Sequence, residues 1–218
     1  MAAERSPDDV EKEHLERIPG EAGHIYHFLW GEVAFLHVAW ETYIALYSTN
    51  EERIDLMNYC ASGFFSDLQL ILSDAVQLRI ARFLDKERSA GRENASFAGL
   101  VRALEGHVTG GLLDQLKLDL EAVQASAASI VLHRHRRIAH LDRELIVGRA
   151  SSGGTTLKEI NEIIIGMVRL MNAVQGHFWG SETVYEYTIQ RGGAHDLLIW
   201  LEHGRKHDKC PRRTFKVE

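Results

Sequence analysis

The chain has 218 residues, 45% hydrophobic and 26% charged, with 3 Pro, 18 Gly and 2 Cys. That composition excludes a disordered tail protein, a collagen-like repeat and a disulfide scaffold, and the length lets one domain bury roughly 70% of its unfolded surface. A formal charge of −6 at pH 7 also excludes a broadly basic nucleic-acid coat.

The average charge hides an asymmetry. The first 21 residues carry seven acids (Glu4, Asp8, Asp9, Glu11, Glu13, Glu16, Glu21) against Arg5, Lys12 and Arg17. From 205 to 216 six bases face Asp208 alone, and His133-Arg134-His135-Arg136-Arg137 forms a dense third cluster. A polyanion would therefore have to be met locally. The expected organisation is an acidic segment at 1–23, a helical domain at 24–205 and a basic tail at 206–218. Met1 to Asp9 holds no apolar run of the signal-peptide kind. Cys60 and Cys210 match no zinc or redox spacing, so a soluble protein of the reducing cytoplasm is expected.

In chain order, Leu29, Val33, Leu36, Trp40, Tyr43 and Tyr47 recur at three and four, which predicts a helix over 24–48. His27, Glu32 and His37 interrupt its apolar run, so it is a core helix and no membrane span. Phe64, Leu68, Ile71, Ala75 and Leu78 form a stripe on a helix over 62–84, widened by Phe65, Leu72, Val76 and Phe83. That breadth marks a central helix packed on more than one side. Residues 85–94 have no period and read as an exposed loop, followed by a short helix from about Ser96 to Gly106. Leu112, Leu116, Leu120, Val123, Ala127 and Ile130 predict a helix over 111–147, and Gly148 to Thr155 a loop. Thr156 and Glu159 make a capping-box pattern. Ile160, Ile164, Met167, Met171, Val174 and Phe178 carry the helix behind it as far as Gly180-Ser181. Residues 184–189 alternate weakly as a short extended piece, and a last helix spans 194–204. The fold predicted is an all-α, up-and-down bundle of five or six helices.

At 130–142 the pattern changes. The stripe through Ala127 and Ile130 should continue at 134 and 137, and both are Arg. An unpaired guanidinium facing a core is strongly disfavoured, so the stripe either leaves the core or enters a polar cleft. Three chemistries are open. Bases can simply end a helix, complementing its C-terminal dipole. A metal is poorly served, because His133 and His135 point to opposite faces and His133 and His140 lie about 10 Å apart along the axis. Phosphate chemistry without metal is the third: His133, Arg136, Arg137 and His140 share one broad face of a regular helix. That face combines guanidinium forks with imidazoles that exchange protons near neutrality, which is what 2′-hydroxyl attack on an RNA phosphate requires.

The run Arg134-His135-Arg136-Arg137-Ile138-Ala139-His140-Leu141-Asp142 resembles the signature of the HEPN superfamily: an Arg, a polar residue, a short spacer and a His. Its Ile-Ala-His-x-Asp ending is similar to the abortive-infection, AbiU2-like branch. Ser73 to Asp85 resembles that branch's central helix, and Thr156-Leu-Lys-Glu-Ile with Leu170-Met-Asn172 its following helix. The likeness covers about 25–205. It implies an all-α domain that dimerises through its motif-bearing helices, and a metal-independent endoribonuclease of the toxin or phage-defence type, with no cofactor. RNA, a second copy and, for a toxin, a cognate antitoxin are the implied partners. Carried over, Arg134 and His140 are the catalytic pair and His135 holds the polar position, where Asn is usual. On that basis His133, Arg136 and Arg137 would hold the RNA backbone. Residues six apart lie about 120° apart on a regular helix, so either the helix breaks near the motif or two copies assemble the site. Asp74 and Asp85 stand as candidate partners for the motif's arginines. A catalytically silent member that binds RNA, a nucleotide or an acidic partner is the alternative, and a purely structural partner protein a third.

Overall fold

The computed structural model describes residues 6–48, 50–89, 91–134, 155–187 and 192–207. The last third of the helix expected from 111, most of the loop after it and nearly all of the basic tail lie outside these residues. Eight α-helices and one small hairpin make up almost all of what is described, so the fold is all-α. The helices are α1 (Pro7–Arg17), α2 (Glu21–Tyr47), α3 (Glu51–Phe83), α4 (Phe97–Leu104), α5 (Gly110–Ser126), α6 (Ala128–His133), α7 (Leu157–Trp179) and α8 (Ala194–Lys206). Two exceed the expected count. One is α1, inside the acidic segment, where Ser6 and Asp9 form a capping box with Pro7 in the first turn. The other arises because the helix expected over 111–147 divides at Ala127 (φ −90°, ψ 5°). No helix among the described residues is long and apolar enough to cross a membrane.

The chain packs as two compact units. The first comprises the described parts of 1–38 and 74–188. Here Leu29, Val33 and Leu36 of α2 are fully buried, as their spacing predicts. The α5 stripe Leu116, Leu120 and Val123 is buried too, along with Ile160, Ile164, Met167, Met171 and Val174 of α7. α5 packs along α7 so closely that a Cβ on Gly166 would meet Val123 Cγ2 at 2.5 Å. The capping box of α7 forms as expected, with Thr156 Oγ1 accepting from Glu159 N (3.2 Å) and Glu159 Oε2 accepting from Thr156 N (2.7 Å). Gly180, left-handed at φ 66°, ends the helix. α1 is pinned by His14, whose ring lies edge-on to Tyr26, Trp30 and Trp179, and by Trp179 Nε1 donating to Glu13 Oε1 (2.8 Å).

Two expectations in this unit are corrected. The loop over 85–94 holds a two-stranded hairpin, Arg88–Ser89 against Arg92–Glu93, turned by Gly91 at φ 79°. The piece after Val184 is a 3-10 turn over Tyr185–Tyr187, with the Tyr185 side chain buried. Asn172 tethers the preceding segment, accepting from Thr183 N (3.0 Å) and donating to Thr183 O (3.1 Å).

The second unit comprises the described parts of 39–73 and 189–218. Its core is Leu46 from α2, Leu56, Met57 and Phe65 from α3, and Leu198 from α8. Tyr47 Oη donates to the Phe65 carbonyl (2.9 Å), and Arg53 reaches the Ala45 carbonyl (2.9 Å). α3 starts eleven residues before the expected 62, but Ala61 is non-helical (φ −163°, ψ 70°), so helix does resume there. The expected α3 stripe faces the wrong way: Phe64 and Ile71 are 62% and 64% exposed, whereas Phe65 and, in the first unit, Val76 and Phe83 are buried. The helix is apolar around much of its circumference, and periodicity alone cannot choose between two offset stripes. Trp40 is buried, Trp30 and Trp179 are partly so, and Trp200 is exposed.

Candidate active site

The motif is approached along the buried side of α5. Ala127 ends that helix and starts α6, and Ile130 is fully buried one turn later. The next position on the stripe is Arg134, which keeps helical backbone angles (φ −54°, ψ −48°). Its side chain is 21% exposed and partnered. Nη1 donates to Asp85 Oδ1 at 3.0 Å and Nη2 to Asp85 Oδ2 at 3.4 Å, an end-on fork. The stripe therefore does not leave the protein at 131; it runs into a carboxylate that compensates the guanidinium. Nε is buried and finds no acceptor among the described residues.

Asp85 is well anchored. It follows the last turn of α3, where Phe83 and Leu84 are buried, and its own N–H donates to the Arg82 carbonyl (3.3 Å). From α5, Gln124 Nε2 reaches the Leu84 carbonyl at 3.4 Å, tying the end of α3 to the helix that leads into the motif. Three turns earlier on α3, Asp74 stands opposite His133. That imidazole is buried, with Nε2 4.0 Å from Asp74 Oδ1, beyond hydrogen-bond reach. Of the two acids singled out in or beside the central helix, Asp85 meets a motif arginine, whereas Asp74 stands beside His133, one residue ahead of the motif. On the far side, Ser129 of α6 shares a 3.0 Å hydrogen bond with Thr155, just ahead of α7.

Of the expected site residues, His133 and Arg134 are described; His135, Arg136, Arg137 and His140 lie outside the described residues. Among the described residues no three His, Cys, Asp or Glu side chains gather as a metal site would need. A titratable cluster that periodicity missed lies elsewhere. His14 Nδ1 is 3.1 Å from His27 Nδ1, and its pKa is lowered to about 4, by burial first and then by His27. His14 sits thirteen residues from His27 on another helix, so no local pattern announces the pair.

The family model described as AbiU2, a HEPN type, matches residues 20–197. The chain belongs to the AbiU2 family. The match spans α2 to the first turn of α8 and includes Asp74, Asp85, Arg134 and His140, while α1 precedes it. An AbiU2 member carries a HEPN-type domain, a class generally associated with RNA cleavage. No curated protein and no solved structure matches the chain.

Proposed function

We propose that this AbiU2-family protein is a metal-independent endoribonuclease of the toxin or phage-defence type. The observation that carries this reading is the seat of Arg134: a partly exposed guanidinium, fixed at the end of a buried stripe, opening the motif of a HEPN chain. In the proposed reaction His140 takes the proton from the 2′-hydroxyl. The freed oxygen attacks the adjacent phosphorus, and the P–O5′ bond breaks as the leaving oxygen is protonated. Arg134 neutralises the phosphorane, and the products carry a 2′,3′-cyclic phosphate and a 5′-hydroxyl. His135 occupies the polar position beside Arg134. Arg136 and Arg137 hold the RNA backbone, whereas His133, turned inward toward Asp74, serves the packing at the start of the motif. A second copy supplies the facing motif, since Arg134 and His140 lie about 120° apart on a regular helix. Purified protein should cut single-stranded RNA and leave cyclic-phosphate ends, and an RNA with 2′-deoxy residues throughout should survive. Cleavage of that deoxy strand would refute the mechanism.

A second reading has an observation of its own. The Asp85 fork partly neutralises Arg134 in the free protein, which withholds charge from a phosphorane and suits a module that binds RNA, a nucleotide or an acidic partner through its other bases without cutting. Retention of labelled RNA with no product over a long incubation favours this module.

A further inference from the structure

Arg134 offers five N–H donors, and the Asp85 fork takes two. A third, Nε–H, is buried without an acceptor among the described residues. Among the described residues this leaves two terminal N–H groups, one on each Nη, for a phosphate. While the fork stands, a phosphoryl group can therefore take part of the guanidinium only, and it meets a carboxylate that cancels the charge it seeks. The backbone that carries Asp85 is fixed, because its own N–H and that of the buried Leu84 are bonded to the last turn of α3 and Gln124 holds the Leu84 carbonyl. Asp85 and Arg134 are 30% and 21% exposed, so their pairing is shielded from solvent more than a surface pair would be.

We infer that Asp85 is a positioning residue that aims the Arg134 guanidinium and competes with the RNA backbone for it. The inference rests on the ribonuclease reading for its catalytic half and on backbone binding alone for the other. Competition means that RNA binding in the wild type occurs without the full counterion release that a free Arg134 would give. Aim means that turnover depends on the fork that weakens binding. Removing the carboxylate charge therefore has opposite effects: tighter binding and slower chemistry. Asp74 does not share this role, since the group it stands beside is the His133 imidazole, with Nε2 4.0 Å from Asp74 Oδ1.

The experiment compares wild type, Asp85→Asn and Asp85→Glu on two probes: a labelled single-stranded 2′-O-methyl RNA, which cannot be cut, and the same sequence as cleavable RNA. For Asp85→Asn the salt dependence of binding should steepen by about 0.7 in log Kd against log salt, one further phosphate contact on a single strand. Its KM should fall with kcat about ten- to hundredfold lower, as expected for a misaimed group. Asp85→Glu keeps the charge and moves the fork by one methylene, so its salt slope should match the wild type while kcat falls. A merely structural Asp85 would lower activity along with the melting temperature and leave the slope of the folded variant unchanged, and that result overturns the inference. If Asp85→Asn shows no melting transition, Asp85→Glu decides, and an unchanged kcat overturns the inference. A wild type that binds the uncut probe but cleaves nothing refutes the ribonuclease reading, and the slopes still judge the competition. Absence of binding in both wild type and Asp85→Asn removes the inference itself.

Discussion

Replacing Gly166 with Ala tests the close approach of α5 to α7. The added Cβ would lie 2.5 Å from Val123 Cγ2, against the ~3.5–4.0 Å of ordinary carbon contact, so α5 and α7 must part by about 1 Å or Val123 must leave its rotamer. Overpacking of this kind costs about 1–3 kcal/mol, and the better helix propensity of Ala returns about 1 kcal/mol. The net expectation is a destabilisation of about 1 kcal/mol, or about 2–4 °C in Tm for a chain of this size. Thermal melts followed by circular dichroism should be run in two backgrounds. With Val123→Ala the obstructing methyl is gone, so Gly166→Ala should then stabilise by up to about 1 kcal/mol. The interaction between the two sites is therefore about 1–3 kcal/mol. A Gly166→Ala protein with raised Tm, or one that changes equally in both backgrounds, would refute the close α5–α7 approach.

Other expectations are quickly checked. The depressed His14 pKa means that the unfolded chain takes up the proton first as pH falls. The stabilisation is complete above the ordinary 6.5 and is lost as pH drops toward about 4. Denaturant midpoints should therefore decline from pH 6.5 to 5, above most carboxylate titration, and His14→Phe should flatten that decline. An equal slope in both proteins contradicts the buried imidazole. Phe65→Ala should cost about 3–5 kcal/mol and Phe64→Ala less than about 0.5 kcal/mol in urea unfolding; the reverse order would restore the stripe that spacing alone suggests. Thr156→Ala should cost about 1 kcal/mol through loss of the α7 cap, and no change in midpoint would contradict the capping box.

The helices that sequence anticipates best are those with one clear stripe and a chemical stop. α7 has both: its Thr156 cap and its left-handed Gly180 end are local features, so no tertiary information is needed. α3 shows the opposite case. It has apolar residues on two offset faces, and the choice of Phe65 over Phe64 is made by Leu46 of α2 and Leu198 of α8, which lie elsewhere in the chain. The Ala127 break could not be read, because Ala is a strong helix former and the stripe passes through it without a missing beat. The start of α1 is written locally in Ser6-Pro7-Asp8-Asp9, where Ser6 and Asp9 form the capping box, although its acidic composition resembles that of a solvated segment.

At the candidate site the anomaly was visible and its resolution was only partly so. Two arginines on an apolar stripe signal a polar partner, and Asp85 was a candidate because it ends the central helix. Which acid meets Arg134, and that Asp74 stands by His133 instead, depends on the rotation of α6 after the Ala127 break. The His14–His27 pair depends on packing between helices and leaves no trace in either helix's own pattern.

The most direct test of the central claim is RNA cleavage by purified wild type and His140→Ala, with and without EDTA. The account predicts that wild-type cleavage persists in EDTA and that His140→Ala loses about 10²- to 10⁴-fold, the usual contribution of a proton-transfer group. Unchanged cleavage in His140→Ala, or wild-type cleavage abolished by EDTA, would contradict it.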